Sequence, residues 1–161
     1  MELRAAREVD AEAMRAIYNV EVLHSTVTFD LVPRTLEEQR AWLAAHDGVY
    51  PAIVAVEGDT VVGFASLSSY RPRPAYSTTA EDSVYVAGDQ RGRGIGKALL
   101  VEVVRLAAAH GFHAVVGRIV GDHDASIALH RACGFELVGV EREIGRKFGR
   151  WLDVAIMQLL L

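Results

Sequence analysis

The segment from Ser83 to Ala109 constrains this chain most, because a β-rich run, a glycine-rich loop and an amphipathic helix follow one another there without a break. Ser83 to Val86 predicts a strand, Ala87 to Arg93 a loop, and Gly94 to His110 a helix. That helix gathers Ile95, Leu99, Leu100, Val103, Val104, Leu106 and Ala107 on one broad face, with Lys97, Glu102 and Arg105 elsewhere. Gly111 then offers a left-handed position to end it. A strand over Ala114 to Ile119 and a helix over Ala125 to Ala132 complete a βαβα unit.

The rest of the chain supplies the remainder of a sheet. Leu3 to Ala5 reads as a short first strand, and Asp10 can cap a helix running to Val22. Thr35 stands three residues before Glu38, the spacing of a capping box, and opens a second helix through Trp42 and Leu43. Ala52 to Val56 and Thr60 to Ser68 are β-rich runs joined by Glu57-Gly58-Asp59, a hairpin signal. Pro72 and Pro74 keep Tyr70 to Thr79 out of regular structure, and Glu136 to Leu161 reads as two strands around Gly145 to Gly149, the second long and apolar. No linker or repeat divides the chain, so residues 1–161 read as one domain: an α/β fold with a mixed sheet and helices on both faces.

Composition excludes several function classes. A formal net charge of −4 gives no field for a polyanion, which argues against nucleic-acid binding and against an anionic membrane surface. No apolar run approaches the ~20 residues of a membrane span, and the charged N-terminus is unlike a secretory signal. A cytoplasmic location is expected. The lone Cys133 cannot close an internal disulfide, and no Cys/His spacing predicts a metal site.

The stretch Gln90-Arg91-Gly92-Arg93-Gly94-Ile95-Gly96-Lys97 lies where backbone N–H groups at a helix start favour an anion, so it reads as a phosphate cradle. A Walker A loop would need Gly at Arg91 and Ser or Thr at Ala98; a dinucleotide fingerprint would need Gly at Lys97 and a place on the first strand. Neither condition is met. The pattern that fits is Arg/Gln-x-x-Gly-x-Gly/Ala over Arg91, Gly94 and Gly96, which resembles the coenzyme A pyrophosphate loop of the GNAT acyltransferase superfamily. Further phrases resemble its phosphinothricin/methionine sulfoximine N-acetyltransferase branch: Ile17-Tyr18-Asn19, Ser83-Val84-Tyr85-Val86, Ala125-Ser126-Ile127 and Lys147-Phe148-Gly149-Arg150-Trp151-Leu152-Asp153.

The resemblance implies a GNAT-like, mostly antiparallel central sheet and acetyl-CoA as cosubstrate. By it Val84, Tyr85 and Val86 pair their backbone with the pantetheine arm, and Arg91, Gly92, Arg93, Gly94, Ile95, Gly96 and Lys97 hold the pyrophosphate. His123 stands where the family usually has Asn, as a cofactor contact or as a plain loop residue. Glu81, ahead of the Ser-x-Tyr-Val phrase, becomes the expected general base, and partial burial should raise its pKa; the bland alternative is a solvated strand-end charge. His130 occupies the position of the family's usual tyrosine acid, and either protonates the departing thiolate or packs beside Cys133 and Phe135. Cys133 has no neighbour in sequence to activate it, so direct transfer is expected rather than an acyl-enzyme.

Arg71 or Arg73 would suit an acceptor carboxylate, with Arg73 better read as solvated; Pro74, Ala75 and Tyr76 would frame the acceptor. The implied acceptors are small amino acids such as methionine sulfone, methionine sulfoximine or phosphinothricin. The implied assembly is a homodimer through the C-terminal strands, with Val154 to Leu161 as the apolar run to be buried. Other readings are a GNAT enzyme acting on a peptide N-terminus or an aminoglycoside, a non-catalytic acetyl-CoA sensor and, more distantly, a nucleotide-binding P-loop protein.

Overall fold

A computed structural model describes all residues, Met1–Leu161. Seven strands form one sheet in the order β1-β2-β3-β4-β5-β7-β6: β1 Glu2–Ala5, β2 Ala52–Glu57, β3 Thr60–Ser69, β4 Thr79–Val86, β5 Ala114–Val120, β6 Glu136–Lys147 and β7 Arg150–Leu160. Every neighbouring pair is antiparallel except β4 and β5. That exception follows from the helix between them, since two parallel strands need a crossover.

Helices α1 (Ala11–His24) and α2 (Leu36–Ala45) cover one face, and α3 (Ile95–Ala109) and α4 (Asp124–Ala132) the other. On the α1 side Met14, Tyr18 and Val22 pack on Val54, Val56 and Phe64, with Trp42 and Leu43 of α2 at the margin. On the α3 side Leu99, Leu100, Val103 and Ala107 are fully buried against Ala65, Leu67, Ala80 and Val115. Each of the two leucines and Val103 contributes about 1.5–3 kcal/mol by leaving water, so the helix that follows the glycine loop is firmly seated.

The capping box of α2 forms as its spacing predicts, with the Glu38 amide donating to Thr35 Oγ1 at 3.1 Å and the Thr35 amide donating to Glu38 at 2.7 Å. Asp10 does not cap α1 with its side chain. Its carboxylate instead accepts from Arg4 at 2.7 and 2.8 Å and from the Arg7 amide at 2.7 Å, closing a 3-10 turn that precedes the helix. Two expectations on extent also change. Strand β4 begins at Thr79 rather than Ser83, and the proline-bearing loop before it holds one 3-10 turn, Pro74–Tyr76. The apolar run Val154 to Leu161 belongs to β7, an interior strand between β5 and β6, where Val154, Ala155 and Met157 are already buried in the chain's own core. Exposed apolar side chains in the last two strands are Leu137, Val138, Val140 and Ile144 of β6, Phe148 of the turn, and Trp151 and Leu160 of β7.

Candidate active site

The pairing of β4 with β5 is brief. It covers Thr79–Asp82 against Ala114–Gly117 and then stops, although β4 continues to Val86 along β3 and β5 continues to Val120 along β7. Beyond Asp82 and Gly117 the two strands therefore part, leaving facing edges of backbone without strand partners. Such an edge can accept an extended ligand by main-chain hydrogen bonding.

A cleft of about 380 Å³ occupies this split. Its walls include Val84, Tyr85 and Val86 from β4, Arg118 and Val120 from β5, and His123 from the start of α4. Arg91, Gly92, Gly94, Ile95, Gly96 and Lys97 of the glycine loop line its outer end. Two glycines show why the loop has this sequence. Gly94 sits at the N-cap of α3 with φ +82°, a conformation a Cβ disfavours. Gly96 lies in the first turn, where a Cβ would come within 3.3 Å of Leu129 on α4. The amides of that first turn have no helical partner, which makes the loop an anion site by its backbone alone.

Not every residue expected there faces the cleft. Arg93 does not line it; its guanidinium pairs with Glu57 of the β2–β3 hairpin at 3.1 Å and donates to Gln90. Arg91 does line the cleft, yet its charge is partly taken up by the buried carboxylate of Glu21 on α1. His123 accepts the Ser126 amide at Nδ1, 3.0 Å away, and so caps α4 as Asn would at the same place. Arg71, Pro74, Ala75 and Tyr76 lie outside the cleft, exposed at the surface. There Arg71 stacks over the rings of Tyr70 and Tyr76, at 5.1 and 5.9 Å.

Strand alternation splits the two acidic residues of β4 between the faces of the sheet. Glu81 points away from the α3 side and is partly buried. Desolvation raises its pKa, with Asp82 and Glu141 acting in the same direction and the positive charges of Arg118 and Arg71 opposing. The result is a carboxyl held above its ordinary range, as expected of a base for an ammonium group. Arg118 itself pairs with Glu141 at 2.6 Å and reaches the cleft. The sequence does not single it out, because an arginine inside an apolar strand acquires meaning only from its cross-strand partners.

Asp82 points the other way and meets His130. The ring Nε2 lies 3.0 Å from Asp82 Oδ2 and Nδ1 lies 2.8 Å from the Ser126 carbonyl oxygen, so both nitrogens face acceptors. Both residues are buried, at 5% and 4% exposure, and both line the cleft. Burial alone would lower the His130 pKa, but the hydrogen bond and charge of Asp82, with the Ser126 carbonyl, outweigh it and raise the value. Phe135 packs edge-on against the ring, so the packing expected of His130 is also present. Ser126 Oγ stands 3.5 Å from Nδ1, a Ser–His–Asp grouping by residue type. It cannot activate the serine, because Nδ1 spends its proton on the carbonyl. Cys133 is no better a nucleophile: burial, then Asp82, push its thiol upward against the pull of Lys97.

A sheet split between a parallel pair, with a glycine loop at one end and an amphipathic helix behind it, suits an extended ligand that ends in phosphate groups. The model of the acetyltransferase (GNAT) domain family matches residues 3–156, and the chain belongs to that family. Phosphinothricin N-acetyltransferase of Streptomyces coelicolor is 41% identical over 159 residues, covering 96% of this chain and 93% of the relative. The L-methionine sulfoximine/L-methionine sulfone acetyltransferase of Pseudomonas aeruginosa is 41% identical over 162 residues, covering 99% and 94%. The crystal structure of a phosphinothricin acetyltransferase from Sinorhizobium meliloti in complex with acetyl-CoA superposes with a TM-score of 0.95 at 42% identity, covering 99% of this chain and 88% of that one. The chain is an acetyl-CoA-dependent N-acetyltransferase, and its sheet is the mixed, mostly antiparallel one of the family.

Proposed function

We propose that this enzyme transfers acetyl from acetyl-CoA directly to the amino group of a small amino-acid-like acceptor of the methionine sulfone, methionine sulfoximine or phosphinothricin type. The observation that carries the reading is the split between β4 and β5, which opens a cleft for the thioester just beyond Glu81; Glu81 itself stands in the paired stretch before the split, outside the cleft lining and on the opposite face of the sheet. Acetyl-CoA supplies the activated acetyl group. Val84, Tyr85 and Val86 offer it backbone partners, and Arg91, Gly92, Gly94, Ile95, Gly96 and Lys97 bind its phosphates, with His123 beside them. Glu81 takes a proton from the acceptor amine directly or through water, helped by its raised pKa. A β4 amide steadies the carbonyl oxygen, and His130 returns a proton to the leaving sulfur.

For the acceptor, Arg118 and Arg71 act on Glu81 from the same neighbourhood and give an amino-acid carboxylate a cationic partner. Pro74, Ala75 and Tyr76 then frame the outer rim. The names of the two relatives support this acceptor class. The chain works as one domain in the cytoplasm, as a homodimer.

The test is release of free coenzyme A from acetyl-CoA with a panel of amines: methionine sulfone, methionine sulfoximine, phosphinothricin, an aminoglycoside and a short peptide. Rapid release with one of the first three and none with the last two is the expected result. Release only with the aminoglycoside or the peptide would overturn the acceptor class, and silence across the panel despite acetyl-CoA binding would point to a sensor.

A further inference from the structure

We propose that Asp82 is a positioning residue for acetyl transfer, holding His130 doubly protonated at the closed end of the cleft so that the ring can protonate the departing thiolate. The inference rests on the reading of His130 as proton donor given above.

Three observations carry it. First, His130 faces an acceptor at each nitrogen, the Ser126 carbonyl at 2.8 Å and Asp82 Oδ2 at 3.0 Å, an arrangement that only the imidazolium satisfies with two N–H donors. Second, Asp82 keeps its other oxygen, Oδ1, buried with no hydrogen-bond partner in the protein. A carboxylate serving stability alone would be expected to satisfy both oxygens, and unsatisfied groups of this kind mark sites of function. Third, Gly117 on β5 makes the room. A Cβ at that position would lie 2.8 and 2.9 Å from the His130 ring and 3.2 Å from Asp82 Oδ1. Asp82 and Gly117 form the last pair before β4 and β5 part, so the dyad stands at the point where the cleft closes.

Other charged or titratable groups lining the cleft are Glu21 and Arg91 at its mouth, Tyr85 on β4, Lys97 on α3, Arg118 on β5 and His123 at the start of α4. Cys133 of α4 lies close enough to feel Asp82 and Lys97. Among these Asp82 alone hydrogen-bonds the His130 Nε2.

The proton balance closes. As the acceptor nitrogen bonds to the carbonyl carbon, the carbon–sulfur bond breaks with its electron pair on sulfur, and the Nε2 proton has two acceptors. A thiolate, whose thiol has a pKa of about 8.5, is a stronger base than a carboxylate, so the proton leaves Asp82's hydrogen bond for sulfur. Neutral His130 then takes a proton from solvent, replacing the one the amine gave to Glu81 or water.

The test compares the wild type with Asp82→Asn, His130→Ala and the double variant, using acetyl-CoA and methionine sulfone, alongside imidazole NMR titration of His130. Asp82→Asn should lower kcat at about pH 8 by about 10–100-fold, move the alkaline limb of the kcat profile to lower pH and leave KM for acetyl-CoA nearly unchanged. In the wild type His130 should titrate above the ordinary imidazole value, and in Asp82→Asn below the wild-type value. In the His130→Ala background Asp82→Asn should cost little more, because Asp82 acts through the ring. An unmoved alkaline limb, or an undiminished loss in that background, would overturn the proposal. Full kcat in His130→Ala would remove the donor reading itself, whereas a low His130 pKa in the wild type would remove the Asp82 dyad while leaving the donor reading standing.

Discussion

Glu81 and Asp82 adjoin in sequence, but alternation along β4 sends one carboxyl to each face of the sheet, where different partners give each a different chemistry. Glu81 meets desolvation and has no hydrogen-bond donor to hold its charge, so its pKa rises and the base form appears only above the ordinary carboxyl range. Turnover should climb as pH rises through the raised Glu81 value, above the ordinary ~4.3 of a free glutamate. Glu81→Gln should abolish that acid limb and lower kcat by about 10²–10⁴-fold, measured with any acceptor the wild type uses. Full turnover by Glu81→Gln at every pH would remove Glu81 from the mechanism. The position and burial of Glu81 were legible from the phrase it precedes. The partnership of Asp82 was not, because His130 lies 48 residues away and only the fold brings the two together. Arg93 misled for the opposite reason: the local pattern of a basic residue in a phosphate loop is visible in sequence, whereas the Glu57 carboxylate that captures it is 36 residues distant.

At the scale of elements, the order of strands and helices was legible because apolar periodicity, a capping box and glycine stops are all local signals. Helix α3 stops at Ala109, two residues before Gly111 at φ +82°, and Thr35 is the N-cap of α2, as their flanking residues predict. What periodicity does not encode is where two strands part. Strand β4 reads as beginning at Ser83 because Glu81 and Asp82 interrupt its apolar pattern, and those are the two carboxyls the proposed mechanism uses. The split after Asp82 depends on β5 following β7 rather than β4, a tertiary choice with no local signature. The stretch of β4 that sequence misses, Thr79 to Asp82, is thus the part that pairs with β5 before the cleft opens. The apolar tail shows a related ambiguity: a hydrophobic strand suits a dimer interface or an interior place in its own sheet, and β7 takes the interior place.

Across the whole molecule, the sheet has α1 and α2 on one side and α3 and α4 on the other, and its β6–β7 hairpin carries Leu137, Val138, Val140, Ile144, Phe148 and Trp151 in the open. An exposed apolar edge of this kind invites strand or face pairing with another chain. The homodimer proposal places this surface, rather than Val154 to Leu161, at the interface. Light scattering at micromolar concentration should give twice the 17.6 kDa chain mass, and Trp151→Glu should reduce it; a monomeric wild type would refute the assembly. In the proposed mechanism an amine on the Glu81 face attacks an acetyl group held in the cleft between β4 and β5, and neither Cys133 nor Ser126 is activated to carry that group. Initial velocities with acetyl-CoA and methionine sulfone varied together test this most directly. Intersecting double-reciprocal lines, the signature of a ternary complex, are the predicted result; parallel lines, the signature of an acyl-enzyme, would contradict it.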